Sequence, residues 1–138
     1  MMGLIAAIAL LAQGVPWTWS LYEGDGPVVL AEEVPDTPRL KSTLQCDRGS
    51  NVVRVTLYDS GLAPGFVTLT SAEATATAEA AAGRADSLGL ALPTDHPVFA
   101  RFTASGTLNV ASGGAGRTLT LDGLHLAKLR RFAELCTG

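Results

Sequence analysis

Along most of the chain apolar and polar residues alternate with a period of two, the pattern of strands that bury one face and expose the other. Trp17, Trp19 and Leu21 alternate with Thr18 and Ser20, which predicts a first strand with both tryptophans in the core. Gly24-Asp25-Gly26-Pro27 is turn chemistry, and a second strand follows from Val28 to Glu32. After a Pro35-Asp36-Thr37-Pro38 connector, Leu40 to Cys46 and Val52 to Tyr58 flank Asp47-Arg48-Gly49-Ser50-Asn51. Because Val53, Val55 and Leu57 alternate with Arg54 and Thr56, this is the clearest hairpin in the sequence. Leu88, Leu90 and Leu92 alternate again before Pro93. Leu108 and Val110 are matched to Leu119 and Leu121 across a glycine-rich link, Ser112-Gly113-Gly114-Ala115-Gly116, which predicts a second hairpin.

The stretch from Ala72 to Ala80 admits two readings. Alanine and glutamate favour helix, but strict alternation with Thr75 and Thr77 has the period of a strand. Strand is preferred, with an alanine face that would let a neighbouring layer approach closely. Asp95-His96-Pro97 reads as a cap opening a short helical turn with Val98, Phe99 and Phe102 buried. Asp122 can cap a final helix whose buried stripe is Leu126, Leu129, Phe132, Ala133 and Cys136. Lys128, Arg131 and Glu134 would then face water, with an Arg130-Glu134 pair at helical spacing. The expected fold class is mainly β (α+β): an antiparallel sheet, sandwich or small barrel of about seven to nine strands closed by one C-terminal helix.

Composition changes this picture at the N-terminus. Residues 1 to 12 are apolar or small without interruption and hold both isoleucines of the protein, Ile5 and Ile8. Such a run is too short to span a membrane, which takes about 20 residues, but has the length of a signal-peptide core. Residues 1–14 are therefore expected to be a leader, cut after Ala12 or Gly14, and residues 15–138 a single domain without an integral membrane segment. The basic residue that usually opens a leader is absent, the first being Arg39. The two cysteines, Cys46 and Cys136, fit a periplasmic or secreted protein in which they form a disulfide. A staple so close to the final residue would keep the last element from fraying.

Charge is uneven. The net formal charge is -3, yet the first 38 residues hold five acids (Glu23, Asp25, Glu32, Glu33, Asp36) and no base. The acidic N-terminal part is expected to attract the remainder. An acidic balance argues against a nucleic-acid binder, and an aromatic content of 6% argues against a large aromatic-lined cofactor pocket. No cofactor and no metal are expected: two lone cysteines cannot build a zinc site, and Gly113, Gly114 and Gly116 lack the Lys-Ser/Thr of a phosphate loop. His96 and His125 read as structural or exposed, and no Gly-x-Ser-x-Gly occurs. A mildly basic C-terminal part, with Arg101, Arg117 and above all Lys128, Arg130 and Arg131, offers a possible interaction face for an acidic partner or anionic envelope polymer.

The sharpest enzymatic signal is Leu57-Tyr58-Asp59-Ser60-Gly61, which resembles the apolar-apolar-Asp-Ser/Thr-Gly motif of aspartic proteases. With one motif per chain, the resemblance implies a retropepsin-like homodimer whose two Asp59 carboxyls share a proton. Leu62 stands where that family usually has alanine. A second resemblance rests on Leu44-Gln45-Cys46-Asp47, the hairpin after it, Gly123-Leu124, and Leu129-Arg130-Arg131-Phe132-Ala133-Glu134-Leu135-Cys136. This outline is similar to small exported proteobacterial proteins, among them periplasmic accessory proteins of type VI secretion. They have an early strand cysteine and a final cysteine, and the resemblance implies that the two pair. Gln45-Cys46-Asp47 also looks like the periplasmic inhibitors of C-type lysozyme, which carry a Ser-Gly-x-x-Tyr loop; here Ser105-Gly106 is followed by Thr107, Leu108 and Asn109. The resulting expectation is a non-catalytic binding or structural protein of the cell envelope, with an envelope protein as partner. An envelope-enzyme inhibitor and the Asp59 protease are the alternatives.

Overall fold

The computed structural model describes residues 16–138; the expected leader lies outside them. Nine antiparallel strands form one curled, half-barrel sheet with two helices. In chain order the strands are β1 (Thr18–Tyr22), β2 (Val28–Glu33), β3 (Leu40–Cys46), β4 (Val52–Tyr58), β5 (Gly65–Ser71), β6 (Ala74–Ala82) and β7 (Ser87–Pro93). Then come helix α1 (Pro97–Ser105), β8 (Thr107–Ser112), β9 (Ala115–Thr120) and helix α2 (Leu124–Cys136). The order across the sheet is β1-β2-β3-β4-β7-β6-β5-β8-β9.

The anticipated hairpins are present. β3 pairs with β4, with Leu44 opposite Val55, and β8 pairs with β9, with Leu108 opposite Leu119. Val110 faces Arg117 rather than an apolar partner, because the turn closes on Ser112 and Ala115 and that register brings Leu121, buried, opposite Gly106. The link between them is tighter than its five small residues suggest. Only Gly113 and Gly114 separate the strands, with Gly113 alone at positive φ (58°), as in a type II′ turn. β5 is not among the anticipated elements, although Val67 and Leu69 alternate with exposed Thr68 and half-buried Thr70.

The ambiguous alanine segment is strand β6. Ala76 and Ala80 are buried while Thr75, Thr77 and Glu79 are exposed, so a period of two prevails over helix propensity. Its small side chains leave room for α1, which packs against β5, β6 and β8 through Val98, Phe99 and Phe102. α1 is a full helix rather than a single turn. Its N-cap is His96, whose Nδ1 accepts from the Val98 N–H at 3.0 Å. α2 packs against β1, β2 and α1 and buries Leu129, Phe132 and Cys136.

Four expectations need correction. Asp122 does not cap α2: Gly123, at φ 54°, takes the N-cap position without a side-chain bond, and Asp122 contributes only its carbonyl, to the His125 N–H. Lys128 does not face water; its ammonium donates to the Trp19 carbonyl at 2.7 Å. The helical ion pair is Arg131 with Glu134 (3.7 Å), not Arg130 with Glu134, because Arg130 reaches across to the last carbonyls of α1. Finally, Trp19 is core but Trp17 is only half-buried. The β1–β2 ladder begins at Thr18, so Trp17 lies beyond it, outside the core.

Opposite edges of the sheet approach each other. The Trp19 indole N–H on β1 donates to the Thr120 carbonyl on β9 at 3.1 Å, and Thr18 meets His125 of α2 (Oγ1 to Nε2, 3.1 Å). The curl therefore closes through side chains rather than a ladder. The expected attraction between the acidic N-terminal part and the rest takes one form here, Glu23 with Arg131 at 3.2 Å.

Among the described glycines, Gly106 at the α1–β8 junction has the least room for a side chain. Gly106 sits at φ 80°; its N–H donates to Phe102 O at 2.7 Å and its carbonyl accepts from Leu121 N at 2.8 Å. A Cβ there would fall 2.0 Å from Leu121 O. Gly106→Ala is expected to cost at least about 3 kcal/mol, combining left-handed strain with a backbone clash, read as a lowered urea midpoint; an unchanged midpoint would contradict this packing.

Candidate functional site

At one end of the half-barrel β1 begins, β2 ends, β3 begins, β4 ends and β7 begins, as the pairs Thr18 with Glu33, Glu33 with Leu40 and Tyr58 with Ser87 show. The loops after β2, β4 and β6 therefore share this end. The β3–β4 turn, and with it the last turn of α2, lies at the other.

Arg39 and Lys41 are two residues apart, at the start of β3, so they project to the same side. Both lie over the Trp17 ring, with Arg39 Cζ 5.4 Å and Lys41 Nζ 5.8 Å from its centroid, within cation–π range. Arg117 enters from β9. Its Nη1 donates to Lys41 O (2.8 Å) and Ser42 Oγ (3.4 Å), and its Nη2 to Tyr58 O (2.8 Å). One guanidinium thus joins the last strand to β3 and β4 across the concave side. Trp17, Arg39, Lys41, Tyr58, Asp59 and Arg117 border an open cleft of about 580 Å³.

A second hollow of about 470 Å³ adjoins it and shares Asp59, with the segment to Pro64 on one side and Asp86 and Ser87 on the other. The Asp-Ser-Gly segment makes a turn there. Asp59 adopts φ 52°, its N–H donates to Asp86 O (3.2 Å), and Ser60 Oγ accepts from Leu62 N (3.2 Å), ordinary side-chain-to-backbone turn bonding. Asp59 is exposed on the lip between the two hollows.

The expected basic face is divided by the fold. Lys128 is held on Trp19 O. Arg130 donates to Thr103 O (3.3 Å) and Ala104 O (3.4 Å), where a cation suits a helix C-terminus. Arg131 is paired with Glu23 and Glu134. None of the three lines either hollow, and Arg117, grouped with them by sequence, belongs to the cleft. The cleft's other members, Trp17, Arg39, Lys41 and Tyr58, were not anticipated together. The signal for them is faint: two cations at strand spacing, and a tryptophan one residue ahead of its strand.

Both histidines hold the structure together, His96 at a helix cap and His125 against Thr18. Across the first hairpin the Tyr22 hydroxyl donates to Glu33. That bond is the main cause raising the phenol's pKa above its usual value, followed by burial and by the Glu33 charge. Among the described residues no group of three or more His, Cys, Asp or Glu is placed to hold a metal, and no helix is long and apolar enough to cross a membrane. No protein-family model, curated protein or solved structure matches the chain.

Arg117 braces the cleft because its three acceptors lie on two other strands. Arg117→Met, which keeps the side chain's apolar length and removes the donors, is expected to cost about 1–3 kcal/mol in urea unfolding. A variant as stable as the wild type would show that the guanidinium is a passenger.

Proposed function

We propose that the protein is an exported, disulfide-stapled β domain of the cell envelope, periplasmic or secreted, that works by binding rather than by catalysis. The observation that carries this reading is the bond between Cys46 and Cys136, whose Cα atoms stand 5.8 Å apart. Disulfides of this long-range structural kind belong to oxidising compartments, and the apolar run at residues 1–12 supplies a route there. The concave end with Trp17, Arg39, Lys41 and Arg117 supports binding, since it gathers recognition groups, while both histidines are committed to structural bonds. The partner in this reading is an envelope component, and no nucleic acid is involved.

Three measurements test it. The chain recovered from the periplasm is expected to start near residue 13 or 15, after Ala12 or Gly14; one that still begins at Met1 contradicts export. Purified protein is expected to leave acid-denatured protein substrates uncut at low pH. Cleavage that disappears in Asp59→Ala would instead establish the dimeric aspartic-protease alternative. Loss of C-type lysozyme activity on addition of the protein would make the bound partner an envelope enzyme.

A further inference from the structure

The cleft at the Trp17 end concentrates positive charge in a chain whose net charge is -3. It has three cationic side chains, Arg39, Lys41 and Arg117, against one carboxylate, Asp59. Ion pairs among the described residues are Arg54–Asp47, Arg131–Glu23 and Arg131–Glu134, so none of the three cleft cations is matched there by an acid. Keeping a half-buried guanidinium without a counter-charge is costly in free energy, and its neutral carbonyl and hydroxyl acceptors offset only part of that cost.

The hydrogen bonds of Arg117 show which part of it is free. A guanidinium carries five N–H donors in a fixed plane. Lys41 O and Ser42 Oγ engage Nη1, and Tyr58 O engages one N–H of Nη2. The Nε–H and the second N–H of Nη2 have no acceptor among the described residues. No side-chain nitrogen there is both buried and unpartnered, so Nε is open to solvent. Nε and Nη2 share one edge of the plane, the fork that takes two oxygens of a carboxylate or phosphate side by side. The bonds from Nη1 and Nη2 to Lys41 O, Ser42 Oγ and Tyr58 O hold the guanidinium in place in advance, which lowers the cost of ordering on binding. At about 580 Å³ the cleft falls within the roughly 300–1,000 Å³ range of small-ligand sites, and its Trp17 wall is held by Arg39 and Lys41.

From these features we infer that the cleft binds a small ligand bearing an oxyanion, its carboxylate or phosphate seated on the free edge of Arg117 between Arg39 and Lys41. This rests on the reading of the chain as a binding module and names the ligand class of that module. The ligand's body lies against Trp17.

Titration of the full chain with tripolyphosphate and, separately, with triglucuronate tests the site, followed by calorimetry and tryptophan fluorescence, with maltotriose as the neutral control. Saturable binding of one anion or both is expected, weakening as salt is added, and the stronger of the two identifies the oxyanion. The exposed-end variant Arg39→Gln/Lys41→Gln, with its melting temperature unchanged, is expected to bind about tenfold more weakly. Arg117→Lys, which keeps the charge and removes the two-donor edge, should weaken binding further. Absence of saturable binding by either anion in the millimolar range would overturn the assignment, as would equal affinity in the double variant or equal binding of maltotriose. Failure of the cleft leaves the export result untouched, whereas conversion of a bound probe to product would keep the cleft and overturn the non-catalytic reading.

Discussion

An open nine-stranded sheet has two unpaired edges and a concave face that its own ladder cannot cover. In this protein α2 is a large part of that cover, and its attachment is the constraint on which the remainder depends. At its C-terminal end the helix is bonded covalently through Cys136 to Cys46 on β3. The same turn of the sheet also takes its last carbonyls, with Gly49 N donating to Leu135 O (3.0 Å) and Asn51 N to Cys136 O (2.8 Å). The β3–β4 turn therefore does the work of a helix cap, satisfying acceptors that a helix end leaves open. Nearer its start, His125 meets Thr18 and Lys128 holds Trp19 O, so the helix is tied to the first strand as well. Leu129 and Phe132 are carried into the core on that frame.

The strand pattern was legible wherever one face is apolar and the other polar, as at Val53, Val55 and Leu57 or Leu88, Leu90 and Leu92. It was legible even at the alanines of β6, because a two-residue period is a property of the whole segment whereas helix propensity is a weak sum of local terms. β5 escaped notice because its outward positions include Phe66, 74% exposed, which blurs the contrast between its faces. Helix boundaries were less readable. Asp122 has the chemistry of a cap, but the chain turns at Gly123 instead, after Leu121 has bonded back to Gly106. The cleft was hardly legible at all. Arg39, Lys41, Tyr58 and Arg117 come from three strands and their flanks, and only the curl of the sheet brings Arg117 to Lys41 and Tyr58. The reverse holds for Lys128, Arg130 and Arg131, which are neighbours in sequence but separated in use by the elements packed around them.

The molecule thus has two unlike ends. Lys41 and Cys46 are five residues apart on β3, about 17 Å at the rise of an extended strand. Staple and cleft are therefore joined by one rigid element yet do not share residues. A division of this sort suits a binding protein: covalent and backbone bonds fix one end, while the other keeps a braced guanidinium and a half-buried indole at an open cleft. It also accounts for the modest chemistry of the interior, where leucine, valine and alanine fill the curl and the buried polar groups are few. A core built from medium and small side chains gains from a loop of 90 residues closed by a disulfide, worth up to about 4.5 kcal/mol in the chain-entropy description.

The central claim, that the Cys46–Cys136 bond secures α2 and with it the curled sheet, is tested most directly by comparing oxidised and reduced protein in the same urea titration. Before reduction no thiol should react with iodoacetamide, and after reduction two should. The reduced chain is expected to be less stable by about 2–5 kcal/mol. Two thiols that alkylate without reductant, or superimposable unfolding curves for the two forms, would contradict it.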